Sequence, residues 1–419
     1  MRFALFAFML FLPAAGFAQQ VDAVLSQART QKAALLDTLK ELVSIESGSR
    51  DLEGLERLAQ LIAGRLKQLG GEVELVEPAE VYKMEDTPER VGRMVRATFR
   101  GNGAKRILLI AHMDTVYPRG LLAKQPFRVD GERAYGLGIS DDKQGIAVIL
   151  HTVAMLKALD FRDYGTLTVL INADEELSSP GSRALLTRLG AEHDATLSFE
   201  ASRVESDKIA LATAGIASVA LKVYGKASHA GSAPQLGVNA LYELSHQILQ
   251  TRDLSNPATG LKMNWTMSRA GMSRNVIPPA AEAMADVRVL RVADYDGIEQ
   301  AVRQRIKKQL VPEARVEMIF ERRRPPLEAS PASAATAKHA QAIYKELGKD
   351  LVADTVAEGG GTDAAFAALK TKNAVVERFG LRGFGAHSTD DEYVLVSSIE
   401  PRLYLASRLI MDIARDRIR

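Results

Sequence analysis

The stretch I-L-L-I-A-H-M-D-T-V (107–116) runs apolar for five residues before it meets His112. An almost unbroken apolar run marks a β-strand covered on both faces, as in a parallel sheet between helix layers. Residues 166–171 and 195–199 repeat the pattern, and the helical spacings of 145–156 and 182–189 separate them. Alternating strands and helices predict an α/β unit with a mostly parallel sheet. Ligands of such sheets gather at the carboxyl ends of the strands. His112, Glu176 and Glu200 all fall at such ends.

Outward from this stretch, residues 21–70 read as helices. Leu36, Leu39, Leu42 and Val43 share one face, as do Leu58, Leu61, Ile62 and Leu66, and Gly70-Gly71 stops the second helix. Residues 73–76 and 93–99 are strand-like. Near 212 the pattern changes. A strand (216–224), a helix (234–249), two strands (261–267 and 283–290), a helix (298–310) and a strand (316–320) follow in turn. That order is the split βαβ arrangement of ferredoxin-like domains. After Arg324-Pro325-Pro326 the earlier style returns, with a helix (334–347), a strand (375–379) and a closing helix (401–414). The expected organisation is a catalytic domain built from 19–213 and 325–419, with an α+β domain inserted at 214–324.

The 419 residues exceed one comfortable core and suit two domains. A net charge of +2 offers no footprint for nucleic acid or an anionic membrane. There is no cysteine, so any metal ligand must be His, Asp or Glu. The chain opens M-R-F-A-L-F-A-F-M-L-F-L-P-A-A-G-F-A, a positive start, an apolar run and small residues. This reads as a secretory leader (1–18), removed after Ala18, and predicts a periplasmic protein. The alternative, an anchor helix, needs a longer apolar run. No membrane contact is expected once the leader is gone.

Two imidazoles and three carboxylates stand out: His112 in A-H-M-D-T-V, Asp141 in G-I-S-D-D-K-Q-G, Glu176 in N-A-D-E-E, Glu200 in L-S-F-E and His387 in G-A-H-S. Taken singly, each has an ordinary reading: a core histidine, a helix-capping aspartate, an acidic loop tip, a strand-end glutamate, a loop histidine. Together they form the N/O donor set of a two-zinc hydrolase. Two ions about 3.5–4 Å apart can share one carboxylate and clamp both ends of a displacement. Asp114 lies two residues beyond His112 on the same strand face, where it can orient the imidazole. Glu175, beside Glu176, is free to carry a proton. His229 in G-K-A-S-H-A-G belongs to the inserted domain. His151, His193, His246 and His339 sit in helical or polar contexts and read as structural.

The five ligands in order, the D-E-E step, G-K-A-S-H-A-G and G-G-G-T-D-A (359–364) together resemble the co-catalytic zinc peptidases. That family includes acetylornithine deacetylase, succinyl-diaminopimelate desuccinylase, aminoacylase and glutamate carboxypeptidases. Y-G-L-G-I-S-D-D-K (135–143), N-W-T-M (264–267) and N-V-I-P (275–278) are most similar to the bacterial, folate-hydrolysing glutamate carboxypeptidases of the carboxypeptidase G group.

The resemblance implies two zinc ions per chain, His112 and Glu200 completing one site, Glu176 and His387 the other, and Asp141 bridging. It implies a cis peptide at Asp141–Asp142 and Glu175 as general base. It further implies a homodimer through the inserted domain, with His229 reaching a substrate oxygen in the partner subunit's site. Asn275 and Arg288 match positions that hold a C-terminal carboxylate, with Gly359-Gly360-Gly361 offering amides nearby. Lys208 and Arg324 match positions facing a glutamate side chain. The expected activity is hydrolysis of the amide bond to a C-terminal glutamate. The rivals are N-acyl amino acid deacylation or dipeptide cleavage by the same chemistry, and a non-catalytic exported zinc-binding protein. The last would be expected to lack the base or some ligands, and this chain has them all.

Overall fold

The computed structural model describes residues 13–358 and 360–418. Most of the expected leader, and Gly359 of the glycine run, lie outside the described residues.

The main sheet has six strands: β1 (Glu72–Val76), β2 (Met94–Arg100), β3 (Arg106–His112), β6 (Thr166–Asn172), β7 (Ala195–Ser198) and β15 (Ala374–Val376). Their spatial order is β1-β2-β6-β3-β7-β15. β6, β3, β7 and β15 run parallel, as the apolar runs predict. β3 shows why its run is unbroken. Ile107, Leu109 and Ala111 face the core shared with α1 (Pro13–Val43), α2 (Leu52–Gln68), α3 (Gln144–Ala158) and α9 (Ile399–Ala414). Leu108 and Ile110 face α4 (Arg183–Glu192) and α8 (Ala364–Ala368) on the other side.

β1 and β2 depart from the parallel expectation: β1 pairs antiparallel with β2, and β2 antiparallel with β6. Residues 101–105, which join β2 to β3, are too few to return the chain along the sheet, so β2 and β3 must run in opposite directions.

Residues 215–324 form a second sheet of β10 (Gly215–Tyr224), β11 (Lys262–Ala270), β12 (Ala280–Val289) and β13 (Arg315–Arg324). Their order is β11-β12-β10-β13, every pairing antiparallel. With α5 (Ala240–Thr251) and α6 (Asp294–Arg305) this is the ferredoxin-like arrangement, with cores of its own around Val219, Val287, Leu221 and Leu244. The helix expected from 234 starts later. Pro234–Leu236 makes a single 3₁₀ turn, and Asn239 caps α5 by accepting from the amides of Leu241 and Tyr242.

Periodicity gives no warning of a five-stranded sheet of very short strands. It contains β4 (Arg128–Asp130), β5 (Arg133–Tyr135), β8 (Ser202–Arg203), β16 (Arg382–Phe384) and β17 (Tyr393–Leu395), in the order β4-β5-β17-β16-β8. It frames the loop carrying His387. β9 (Lys208–Ala210) and β14 (Val352–Asp354) make a parallel pair, and α7 (Pro331–Lys345) completes the helices used here. No helix among the described residues is long and apolar enough to cross a membrane.

Candidate metal centre

His112 is the last residue of β3, and Glu200 follows β7 by two residues. Glu175 and Glu176 begin a 3₁₀ turn after β6, and Asp141 sits in the loop before α3. His387 follows β16. The carboxyl ends of parallel strands therefore bring together residues from both ends of the chain.

The five candidate ligands form two triads, His112–Asp141–Glu200 and Asp141–Glu176–His387, with ligand atoms within 4.8 Å of one another in each. Asp141 joins them. Its Oδ1 lies 3.0 Å from His112 Nε2 and its Oδ2 3.2 Å from His387 Nε2. Glu200 Oε1 is 3.4 Å from His112 Nε2, and Glu176 Oε2 is 3.2 Å from His387 Nε2. The Asp141–Asp142 peptide is cis. Both nitrogens facing the cluster are Nε2, and each meets a different Asp141 oxygen. The donor set is all N and O, suited to divalent zinc. Glu176 Oε1 is buried with no hydrogen-bond partner, an acceptor that a cation would satisfy.

Asp114 organises one side. It is fully buried, and its Oδ1 accepts from the Glu175 amide at 3.0 Å. Its Oδ2 accepts from the Glu176 amide at 3.1 Å and from Ser49 Oγ at 2.8 Å. His112 Nδ1 lies 3.0 Å from the Asp114 carbonyl oxygen and 3.3 Å from Oδ1, so its proton is held there and Nε2 faces the cluster. One carboxylate thus orients a candidate ligand histidine and the turn bearing both glutamates.

His387 has φ +66°, a conformation that costs a non-glycine residue energy and that concentrates at functional sites. The turn is set by Gly385 at φ +77°, where a Cβ would lie 2.2 Å from the Asp391 carbonyl oxygen. Ser388 N donates to the Gly385 carbonyl at 2.7 Å and closes it.

The electrostatics fit a cation site. Hydrogen bonds to Asp141 and Glu176 push His387 up to about 11. Burial opposes the charge on His112, but Asp114, Asp141 and Glu200 outweigh it and hold the ring well above its usual value. Burial also opposes the charge on Asp141, yet the two histidines keep it below the usual carboxylate range. Glu176 is pushed up to about 7, first by burial and then by Asp141. Carboxylates that hold protons on two ring nitrogens would hold cations in the same places, and uptake of metal must displace those protons.

Glu175 stands apart from the triads. It is 7% exposed, and burial raises its carboxyl well above the usual range against the pull of Arg324. Arg324, which the resemblance places beside a substrate's side chain, lines the cavity next to the triads, yet it is 3% exposed, the last residue of β13, and its guanidinium bonds Glu175 Oε1 and the Glu175 carbonyl. It also reaches Asp363 Oδ1 at 3.2 Å. A buried guanidinium needs carboxylate partners, and these two supply them.

A cavity of about 1140 Å³ opens beside the triads. Arg288, Lys208 and Arg324 line it. The first two also have acidic partners: Arg288 Nε lies 2.9 Å from Asp286, and Lys208 Nζ 3.0 Å from Asp354. Gly360 and Gly361 line the same space. His229 and Asn275 do not. Both are exposed on the inserted domain, next to each other through the His229–Val276 bridge. Asn275, expected at the substrate carboxylate, therefore travels with His229 and away from this chain's own cavity. His151, His193, His246 and His339 bond to protein atoms outside the cluster.

Sequence reading missed three contributors. Asp363 falls inside G-G-G-T-D-A, and Ser49 and Glu392 lie in polar stretches with no periodic signal.

The profile of peptidase family M20/M25/M40 matches residues 108–412. Carboxypeptidase G2 of Pseudomonas sp. (strain RS-16) is 45% identical over 404 residues, covering 96% of this chain and 95% of that protein. Among solved structures, a tripeptidase from Staphylococcus aureus superposes with a TM-score of 0.74 at 20% identity, covering 92% of this chain and 99% of that one. An M20 family metallo-carboxypeptidase from Sulfolobus solfataricus gives 0.70 at 16% identity, covering 90% and 98%. These two likenesses concern the fold. The profile spans most of the chain, and the sequence identity extends over nearly all of it: the chain belongs to peptidase family M20/M25/M40.

Proposed function

We propose that this metallo-carboxypeptidase holds two zinc ions per chain and hydrolyses the amide bond to a C-terminal glutamate in folate-type or other N-acyl-glutamate substrates. The observation that carries the reading is Asp141, with one oxygen at each triad. The identity to carboxypeptidase G2 over almost the whole chain supports the substrate class. His112, Asp141 and Glu200 would hold one ion, and Asp141, Glu176 and His387 the other. When bound, such a pair polarises the scissile carbonyl and lowers the pKa of water towards neutrality.

The chain's own residues supply the rest. Glu175 takes the proton from the attacking water and passes it to the leaving amine. Burial raises its carboxyl above the usual range, the direction that suits a group passing a proton on. Arg324 fixes the Glu175 carboxyl from the side. Arg288 and Lys208 present cations to the cavity, and the paired donors of a guanidinium suit a free carboxylate.

His229 Nδ1 accepts from the amides of Gly231 and Ser232, at 3.1 and 3.0 Å. The ring proton is then on Nε2, exposed and ready to donate to a carbonyl oxygen as it gains negative charge. That His229 and Asn275 lie outside this chain's cavity supports a role for them in the site of a second copy. β11 is an edge strand with Met267 exposed, and α5 exposes Leu241, Tyr242 and Leu249, which suits pairing of inserted domains into a homodimer. Residues 1–18 would act as a cleaved leader that delivers the enzyme to the periplasm.

Turnover of benzoyl- or pteroyl-glutamate should exceed that of an N-acetyl amino acid lacking glutamate, measured as steady-state kcat/KM. The opposite order would place the protein among the deacylases with the metal chemistry intact.

A further inference from the structure

Glu392 is 1% exposed and lies 251 residues from Asp141 in sequence. Its Oε1 accepts from the amides of Ser140 and Asp141, at 2.8 and 3.1 Å. Its Oε2 accepts from the Gly138 amide at 2.8 Å and from the Tyr117 hydroxyl at 2.6 Å. A carboxylate offers about four lone-pair sites, and here each has a donor. The Tyr117 hydroxyl also lies 2.8 Å from the carbonyl oxygen of Ser388, the neighbour of His387. The Glu392 carbonyl accepts from the Gly136 amide at 3.3 Å.

The three amides have few alternatives. Gly138 and Ser140 are buried, and in the irregular loop before α3 their acceptor is this side chain. A buried amide without an acceptor is costly, so the loop takes the path that keeps all three on Glu392. That path decides where Asp141 points. Asp141 has to offer one oxygen to each triad, which a shift of a few tenths of an ångström in its backbone would spoil. His387 sits at a positive φ in the second loop that the same carboxylate reaches through Tyr117.

We infer that Glu392 is a positioning residue for the metal centre: it aims the bridging Asp141 through the 138–141 backbone and, through the Tyr117 hydroxyl, ties that loop to the loop of His387. The inference rests on the two-metal reading of the site, and it touches neither substrate nor metal itself.

The test is a zinc titration by calorimetry on the full-length wild type, Glu392→Gln and Tyr117→Phe, with kcat and KM read at low and excess zinc. The amide of Gln keeps the shape but turns an NH₂ towards backbone donors. Glu392→Gln should bind zinc about 10–100-fold more weakly, the usual cost of losing a group that orients metal ligands. Its kcat should recover in excess zinc with KM unchanged, a rescue that general damage to the fold would not show. Hydrogen exchange at the 138–141 amides should speed up in the same variant. Tyr117→Phe, which loses the hydroxyl that reaches Glu392 and Ser388 but keeps the three amide bonds to Glu392, should weaken zinc by a smaller factor. A folded Glu392→Gln that binds zinc as tightly as wild type overturns the inference. If that variant does not fold, Tyr117→Phe with unchanged zinc affinity overturns it. A wild type that binds no zinc refutes instead the reading of the site.

Discussion

Glu175→Ala should keep its full metal content and lose turnover by about 10²–10⁴-fold, the usual effect of removing a general base. The geometry separates the two outcomes. Glu175 belongs to neither triad, and its side chain bonds Arg324 rather than His112 or His387. The Glu175 amide, which helps fix the turn through Asp114, survives the substitution. Arg324 keeps Asp363 as a partner. Metal analysis beside kcat decides the matter. A variant with more than about a tenth of wild-type rate would remove Glu175 from the proton-transfer role, and one that lost metal would make it a ligand.

His229→Ala should also lose nearly all turnover while keeping its metals, by about 10²–10³-fold if its Nε2–H acts as an oxyanion donor. The cause is different, and mixing shows it. In a homodimer whose sites take His229 from the partner, a mixed dimer of His229→Ala and Glu175→Ala chains has one complete site. It combines Glu175 of one chain with His229 of the other. Random exchange of subunits should then restore about a quarter of wild-type activity from two nearly dead proteins. If His229 served its own chain, no mixture would recover activity. The placement of His229 and Asn275 away from the cavity, on a domain with an exposed edge strand, favours exchange.

How far the sequence foretells this structure depends on the length of the signal each element carries. β3 is legible because both faces are covered and five apolar residues in a row leave no other reading. The inserted domain is legible because its strands run to nine and ten residues, and β12 alternates along most of its length. The strands framing the His387 loop are two or three residues long, too short for any period. The antiparallel edge of the main sheet follows from the shortness of residues 101–105, a clue of linker length and not of periodicity. The five candidate ligands are legible as donor types in order, since the chain has no cysteine to compete.

What eludes such reading is burial decided by tertiary contact. The resemblance offers Arg324 only as a position facing a substrate side chain, because nothing local tells that β13 ends against Glu175 and Asp363. Glu392 follows Asp390 and Asp391 in a run that looks like an ordinary acidic loop. Only the approach of the 138–141 loop, brought by β5 pairing with β17, makes it a buried acceptor of four hydrogen bonds.

The most direct test of the central claim is the zinc stoichiometry of the purified chain beside that of Asp141→Ala, by titration of the chelator-treated protein. The expected result is saturation at about two ions per wild-type chain, with both sites weakened together when the shared aspartate is removed. Saturation at a single ion, or an Asp141→Ala chain that still holds one ion at wild-type affinity, would contradict a centre built from two triads sharing one carboxylate.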